Sequence, residues 1–386
     1  MAEQYDLIIV GGGPIGMSLS IALSGSGLSV LLLEAREAPD KNEDPRPLAF
    51  SHGSRLILHR LGVWDSLPEI TSIKTIHISN RGGFGRTLLT AKEIGVPALG
   101  YVILHQDIFQ VMYKRLHDCN IKYLTGAQVK QLKPELSEGK IEYKHEGKLK
   151  QATAKLLVLA DGGRLTAQVD GITQHVQDYE QRAVVSRIEA SSPQCGVAYE
   201  RFTADGPVAF LPFGQNFSLV WTASPSTVEE ILDLDDVAFL SRLQSHFGDR
   251  AGELISVGKR SSFPLALKYA TPVSGHRVVL IGNAAQTLHP VAGQGFNLGL
   301  RDAWELSREI IGMPADIGSQ AMLSKYKIKR ESDSRGGRVF TDTLVKLFSN
   351  DDILLHGMRG IGLSVLDCFP LAKRYVAKRM MFGSRG

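Results

Sequence analysis

Tyr5-Asp6-Leu7-Ile8-Ile9-Val10-Gly11-Gly12-Gly13-Pro14-Ile15-Gly16 stands near the start of the chain. The first six residues are an apolar run of strand type, and the glycines break it. Gly11, Gly13 and Gly16 occupy the three glycine places of G-x-G-x-x-G. A helical pattern follows through Met17, Leu19, Ile21, Ala22 and Leu23, and a second strand, Ser29 to Leu33, ends in Glu34. Three bare glycines would be weak grounds. Strand, glycine turn, helix, strand and an acid about twenty residues on make the dinucleotide fingerprint. The glycines permit a tight turn, the approach of a pyrophosphate and close helix–strand packing, and the helix N-terminus offers free N–H groups to the phosphates. Glu34 is placed to accept hydrogen bonds from an adenosine ribose, which favours FAD or NAD over NADP at this site.

A second glycine-rich corner lies far along the chain. Val278-Val279-Leu280-Ile281 reads as a buried parallel strand, and Gly282-Asn283-Ala284-Ala285-Gln286-Thr287-Leu288-His289-Pro290-Val291-Ala292-Gly293-Gln294-Gly295-Phe296-Asn297 follows it. A helix is expected from Leu298 to Ile311. Gly293 and Gly295 let backbone approach a ligand, and the helix start suits a group that becomes anionic in turnover, as a reduced flavin ring does. Asp161-Gly162 ends a third strand, Leu156 to Ala160. An acid there lies where open α/β sheets bind ligands.

The expected fold is α/β: a Rossmann-like FAD-binding domain assembled from separated segments, with an inserted β-sheet substrate domain and a helical C-terminal region. Residues 1–71, 101–180 and 271–330 are assigned to the first domain, 72–100 and 181–270 to the second, and 331–386 to the helical region. In the second domain Ala183–Ile188, Val197–Phe202, Val208–Leu211, Phe217–Thr222 and Gly258–Pro264 read as strands, with a helix at Val237–Phe247. The default substrate site is the crevice between the domains.

Composition narrows the alternatives. A net charge of +4 over 386 residues is slight, and no basic–aromatic repeat supports nucleic-acid binding. Cys119, Cys195 and Cys368 are scattered, so neither a disulfide framework, a zinc site nor a redox dithiol is expected. The first strand begins too early for a signal peptide, and no apolar run reaches the roughly 20 residues that span a bilayer. A cytoplasmic protein is expected, with peripheral contact at the inner face of the membrane left open. The stretch from Leu354 to Met381 mixes apolar residues with Arg359, Lys373, Arg374, Lys378 and Arg379. Such a helix can lie on an anionic membrane, although a partner-facing or interdomain helix is the commoner use.

Together these segments resemble the FAD-dependent aromatic hydroxylases of the para-hydroxybenzoate hydroxylase type, over nearly the whole chain. The tract from Gly282 to Leu306 is similar to the ubiquinone-biosynthesis branch. With Glu200 to Phe213 and Gly258 to Leu267, the similarity narrows to members acting on a 2-polyprenyl-6-methoxyphenol. Asn283 stands where many relatives have aspartate, a change typical of those members. The resemblance implies FAD held by Gly11, Gly13, Gly16, Glu34 and Asp161, with Asn283 at the ribityl–pyrophosphate region and Gly293, Gln294, Gly295 and Asn297 at the isoalloxazine ring. Arg46 would lie near the flavin and pocket, and Gln106 near the adenosine; both are equally readable as surface side chains. Leu165 and Gln168 replace the serine and arginine expected after Asp161-Gly162, so no NADPH contact is carried over through that loop.

The implied reaction uses NADPH or NADH and molecular oxygen to hydroxylate a polyprenylated phenol. His289, Pro290 and Arg46 are the catalytic candidates, with His52 a second candidate proton handler. No residue stands out as a general base. Phe210, Pro212, Trp221 and Pro264 are candidate pocket residues, although sheet packing is the usual role of such side chains. A flavin dehydrogenase or reductase of an isoprenoid lipid, and a non-catalytic FAD-bearing subunit of a biosynthetic assembly, remain the competing readings. Other ubiquinone-biosynthesis proteins are candidate partners.

Overall fold

The structure is a computed structural model that describes residues 3–37, 46–83, 85–348 and 353–383. Asp44 and Pro45, beside Arg46, lie outside the described residues, as does the side chain of Arg359. Leu7, Ile8 and Ile9 are all fully buried, because the strand Glu3–Val10 is covered on both faces. Leu7 and Ile9 join one core with Met17, Val158 and Leu300, while Ile8 and Val10 join another with Leu31, Leu157 and Leu280. Two-sided burial is the reason the sequence runs apolar without alternation.

Five parallel strands form the heart of the first sheet, in the order Val278–Leu280, Lys148–Leu159, Glu3–Val10, Val30–Leu33, Lys122–Leu124. The register aligns Val10 with both Leu33 and Leu159, and Leu159 with Leu280. Gly11, Glu34, Ala160 and Ile281 therefore leave the sheet in one row, at the C-terminal edge where such sheets bind ligands.

Among the described residues the second sheet has nine strands. Its long strand Thr173–Ala190 begins inside the stretch 101–180 assigned above to the first domain, and Gln286–Thr287 pairs with Ser261–Thr271, so the flavin-loop segment also touches this sheet. The chain crosses directly from the Asp161 loop into the second sheet, and a long strand carries no local mark of where it changes domain. The helices Pro225–Asp233 and Asp236–Phe247 cover the outer face. The first of these was not anticipated, although Ser224 caps it through Thr227 N–H and Pro225 opens it. Phe210 and Trp221 lie on this outer face, against Phe217, Phe239 and Phe247. They are core, and the substrate must be sought on the other face.

Two further differences bear on the site. A small sheet of Pro47–Ser51, Gly100–Leu104 and Thr71–Ile73 joins the domains. The helix expected from Leu298 begins at Gln294 and runs to Gly312. Gly295 in its first turn lowers local helix propensity and hides the true start.

Candidate functional site

The first corner is built from close approaches. A Cβ on Gly16 would lie 2.0 Å from the Gly11 carbonyl oxygen, and one on Gly11 would lie 2.4 Å from that of Ala160. Gly11 also has φ +111°, which side-chain-bearing residues rarely adopt. Gly13 differs: a Cβ there would meet nothing within 4 Å. It faces the open space before the helix Pro14–Leu23, whose N-terminus has no side-chain cap. That is a cradle of the shape and polarity a pyrophosphate needs.

Glu34 is buried at the end of its strand and accepts from Gly12 N–H (2.9 Å), Arg36 N–H (2.9 Å) and the Arg36 guanidinium (2.9 Å). Burial works against its charge, but the Arg36 contacts and Gly12 N–H outweigh it and hold the carboxyl below the usual range. Its oxygens keep lone pairs for ribose hydroxyls. Arg36 is a supporting residue the sequence reading missed; its position two residues past the strand's acid was the available signal. Asp161 accepts from Gly163 N–H (3.0 Å) and Leu165 N–H (2.9 Å), so it shapes its own loop. Gln168 accepts from Leu132 N–H at 2.9 Å and fastens that loop to the neighbouring hairpin.

Arg46 and Gln106 come together through backbone. His105 N–H donates to Arg46 O at 2.9 Å, and Gln106 follows in the first turn of the helix His105–His117. The Arg46 guanidinium is exposed and lies 5.9 Å from the ring of Phe263 on the second sheet. It thus stands at the mouth between the domains.

At the second corner Gly282–Ala284 is a tight turn with Asn283 exposed toward the strand ends. Gly293 has φ +59°, and its Cα sits so near Ala49 that a Cβ would lie 3.0 Å from Cβ of that residue. Gln294, Gly295, Phe296 and Asn297 form the first turn of the helix, whose N–H groups have no acceptor within it. The Asn297 side chain is fully committed. Its Oδ1 accepts from Ser51 N–H (2.8 Å) and Ser54 Oγ (2.6 Å), while its Nδ2 donates to Ala49 O (3.0 Å) and Gly293 O (2.6 Å). Asn297 is a staple that locks the Arg46 segment to the glycine corner, leaving its backbone to face a ligand.

His289 is 1% exposed, and burial lowers its pKa to about 4. Val291 N–H donates to its Nδ1 at 3.1 Å, which puts the ring proton on Nε2. At neutral pH it is an uncharged imidazole that braces the turn around half-buried Pro290. His52 is also buried, under Phe382, with its pKa lowered by burial and by Arg55.

The largest omission of the sequence reading is a buried ionic chain behind the second corner. Gly282 N–H donates to Asp302 Oδ2 (3.1 Å), and Arg330 Nε donates to Asp302 Oδ1 (2.8 Å). Arg330 also bonds Asp333 Oδ2 (2.6 Å), which accepts from Arg301 Nε as well (2.8 Å). Burial works against the Arg330 charge, but the two carboxylates more than restore it. The adjacent charges Arg301-Asp302, set between the apolar Leu298, Leu300, Ala303 and Leu306, were the signal.

Between the corner and the second sheet lies a narrow apolar cavity of ≈ 70 Å³, lined by Phe50, Ile76, Leu89, Gln294, Asn297 and the C-terminal Met380 and Met381 among others. The C-terminal helix Pro370–Phe382 is pinned there: Ser51 Oγ donates to Met381 O at 2.9 Å.

The FAD binding domain family matches residues 4–336. The chain belongs to that family. It is 33% identical to the ubiquinone hydroxylase UbiL of Rhodospirillum rubrum, over 97% of this chain and 89% of that one. It is 29% identical to the 3-demethoxyubiquinol 3-hydroxylase of Escherichia coli, over 97% and 98% of the two chains. In fold it resembles the p-nitrophenol 4-monooxygenase PnpA of Pseudomonas putida DLL-E4, with a TM-score of 0.80 over the whole of both chains at 16% identity. A Cβ at Gly13 or at Gly295 would meet no protein atom within 4 Å, so the first corner has room for the pyrophosphate at the middle of an FAD molecule and the second for its ring.

Proposed function

We propose that this protein is a flavin-dependent monooxygenase that hydroxylates the aromatic ring of a polyprenylated methoxyphenol in ubiquinone biosynthesis, with NAD(P)H and molecular oxygen as co-substrates. The observation that carries the reading is the apolar cavity shared by the glycine corner and the second sheet. A phenol with an apolar tail needs such a lining beside the coenzyme, and its curated relatives are named for ubiquinone hydroxylation.

When bound, FAD supplies the electron transfer and oxygen activation. The chain does the rest. Gly11, Gly13 and Gly16 admit the pyrophosphate, Glu34 and Gln106 serve the adenosine side, and Asp161 and Asn283 serve the linking region. The N–H groups of Gln294, Gly295 and Phe296, free at the helix start, would stabilise negative charge on the ring. His289 holds the turn that presents Pro290 to the pocket, and Arg46 guards its mouth. The Ile76, Leu89 and Met381 side chains keep water from the reacting ring.

The test is direct. Purified protein should show flavin absorption bands, and a farnesylated 2-methoxyphenol should stimulate NAD(P)H oxidation with equal oxygen uptake and a product heavier by one oxygen. Product without oxygen uptake would favour the dehydrogenase reading. No flavin reduction by NADPH or NADH with the phenol present would favour the non-catalytic subunit.

A surface feature suits a lipid substrate. No helix among the described residues is long and apolar enough to cross a membrane. The C-terminal helix, however, exposes Phe369 (60%), Leu371 (82%) and Tyr375 (69%) beside Arg374 and Lys378, while its other face lines the cavity. Aromatic and apolar side chains flanked by cations suit an anionic bilayer surface. We expect flotation with phosphatidylglycerol vesicles and little with phosphatidylcholine vesicles. Replacing Leu371 and Tyr375 by aspartate should cut binding at least tenfold with flavin content unchanged; equal flotation of the variant would refute the contact.

A further inference from the structure

The strand Val197–Thr203 alternates between two environments. Val197 and Tyr199 turn to the helix-covered core with Phe210 and Phe247. Ala198, Glu200 and Phe202 therefore face the other way, toward the first domain. Phe202 packs with Val291 of the turn after Pro290, and Ala198 packs with Ile73 and Leu211. Glu200 lies between them, in register with Ala209 on one side and Ile78 on the other. Its neighbours on this face are thus apolar, and Ile78 and Phe202 both reach the Val291 cluster.

Glu200 has no side-chain hydrogen bond or ion pair among the described residues. Its side chain remains partly accessible within this enclosed wall. A carboxyl in such surroundings is costly, and packing alone would favour an apolar residue. We propose that Glu200 is the catalytic base that takes the phenol hydroxyl proton from the substrate during ring hydroxylation. The inference rests on the hydroxylase reading given above.

The step balances simply. The phenol O–H bond breaks, its electron pair stays on the phenol oxygen, and the proton forms an O–H bond on the Glu200 carboxylate. The phenolate oxygen then feeds electron density into the ring carbon that receives one atom of molecular oxygen; NAD(P)H as the reductant, with one proton from solvent, takes the other atom to water, and the proton on that ring carbon passes to the new hydroxyl. The proton returns to the phenol oxygen when the product forms. Desolvation pushes the Glu200 pKa up to about 7, with no cation to pull it back. A base with a pKa near the working pH is well matched to this transfer.

Glu200→Gln keeps shape and removes the base. With flavin-loaded protein and a farnesylated 2-methoxyphenol, wild-type kcat/KM should rise with pH through an apparent pKa near 7. Glu200→Gln should keep its flavin and a similar KM, lose about 10²–10³-fold in kcat, and lose the pH rise. Glu200→Asp should restore part of both. A second readout needs no turnover. The folded carboxyl holds its proton more tightly than the unfolded one, so it costs stability as pH rises from the ordinary carboxylate range through about 7. Glu200→Gln should therefore melt higher than wild type at pH 8 and alike at pH 4. Wild-type activity and pH profile in Glu200→Gln would overturn the base and leave the hydroxylase intact. Equal melting at both pH values would show the carboxyl to be neither desolvated nor raised, and would overturn it too. A flavin-loaded wild type that hydroxylates no prenylated phenol would remove the hydroxylase reading and the base with it.

Discussion

Gly13→Val should purify as a folded, colourless protein. The backbone at Gly13 has φ −74° and ψ 175°, an extended conformation open to any residue, and a Cβ there touches no protein atom within 4 Å. The chain itself therefore has room for valine. The pyrophosphate does not, because the added methyl groups would occupy the space in front of the helix N-terminus. The expected result is near-native circular dichroism, loss of the flavin absorption bands and no uptake of added FAD. Stability should fall to that of flavin-free wild type, since only the folded state binds the coenzyme. Full flavin occupancy in the variant would overturn the placement of the pyrophosphate. Gly11→Ala is the informative contrast. Its Cβ would collide with Ala160 backbone at 2.4 Å, so the two strands would have to part and soluble protein should be scarce.

Asp302→Ala should be the most destabilising single change near the second corner. Asp302 is 2% exposed, and its loss leaves Gly282 N–H without an acceptor and Arg330 with Asp333 as its remaining carboxylate partner. Removing one partner from a buried ion pair costs about 3–5 kcal/mol. The loss should appear as a lower midpoint in urea unfolding. The Gly282 turn would also loosen, and we expect FAD to bind about tenfold more weakly, equivalent to ~1.4 kcal/mol. Asp302→Asn keeps an oxygen for Gly282 N–H while losing the charge, so it should fall between wild type and alanine. A change below about 0.5 kcal/mol in Asp302→Ala would show that the ionic chain does not support the corner.

Gly13 and Asp302 serve glycine corners that were already visible as strings of residues. The strand Glu3–Val10, the turn at Gly11–Gly16 and the acid Glu34 lie within one short stretch, and each signal is local. The second corner was legible for the same reason, except that Gly295 concealed the first helical turn. Tertiary context overruled other readings. Trp221 and Phe210 looked equally fit for a pocket or a core, because alternation gives a strand two faces without saying what covers each. Only the helices at Pro225–Asp233 and Asp236–Phe247 settle that. Glu200, on the opposite face of the neighbouring strand, looked like any solvent-facing glutamate.

The local order of apolar runs, glycines and acids was enough to establish the coenzyme class, the parallel sheet and the edge at which its ligand sits. Backbone conformation and strand polarity depend on neighbours in the chain, so these features can be read along it. The Asn297 staple to Ser51, the Asp302–Arg330 chain behind Gly282 and the enclosure of Glu200 had to await the folded molecule. Their partners lie far apart in sequence, and a side chain's charge, hydrogen bonds and solvation are set by what the fold packs against it.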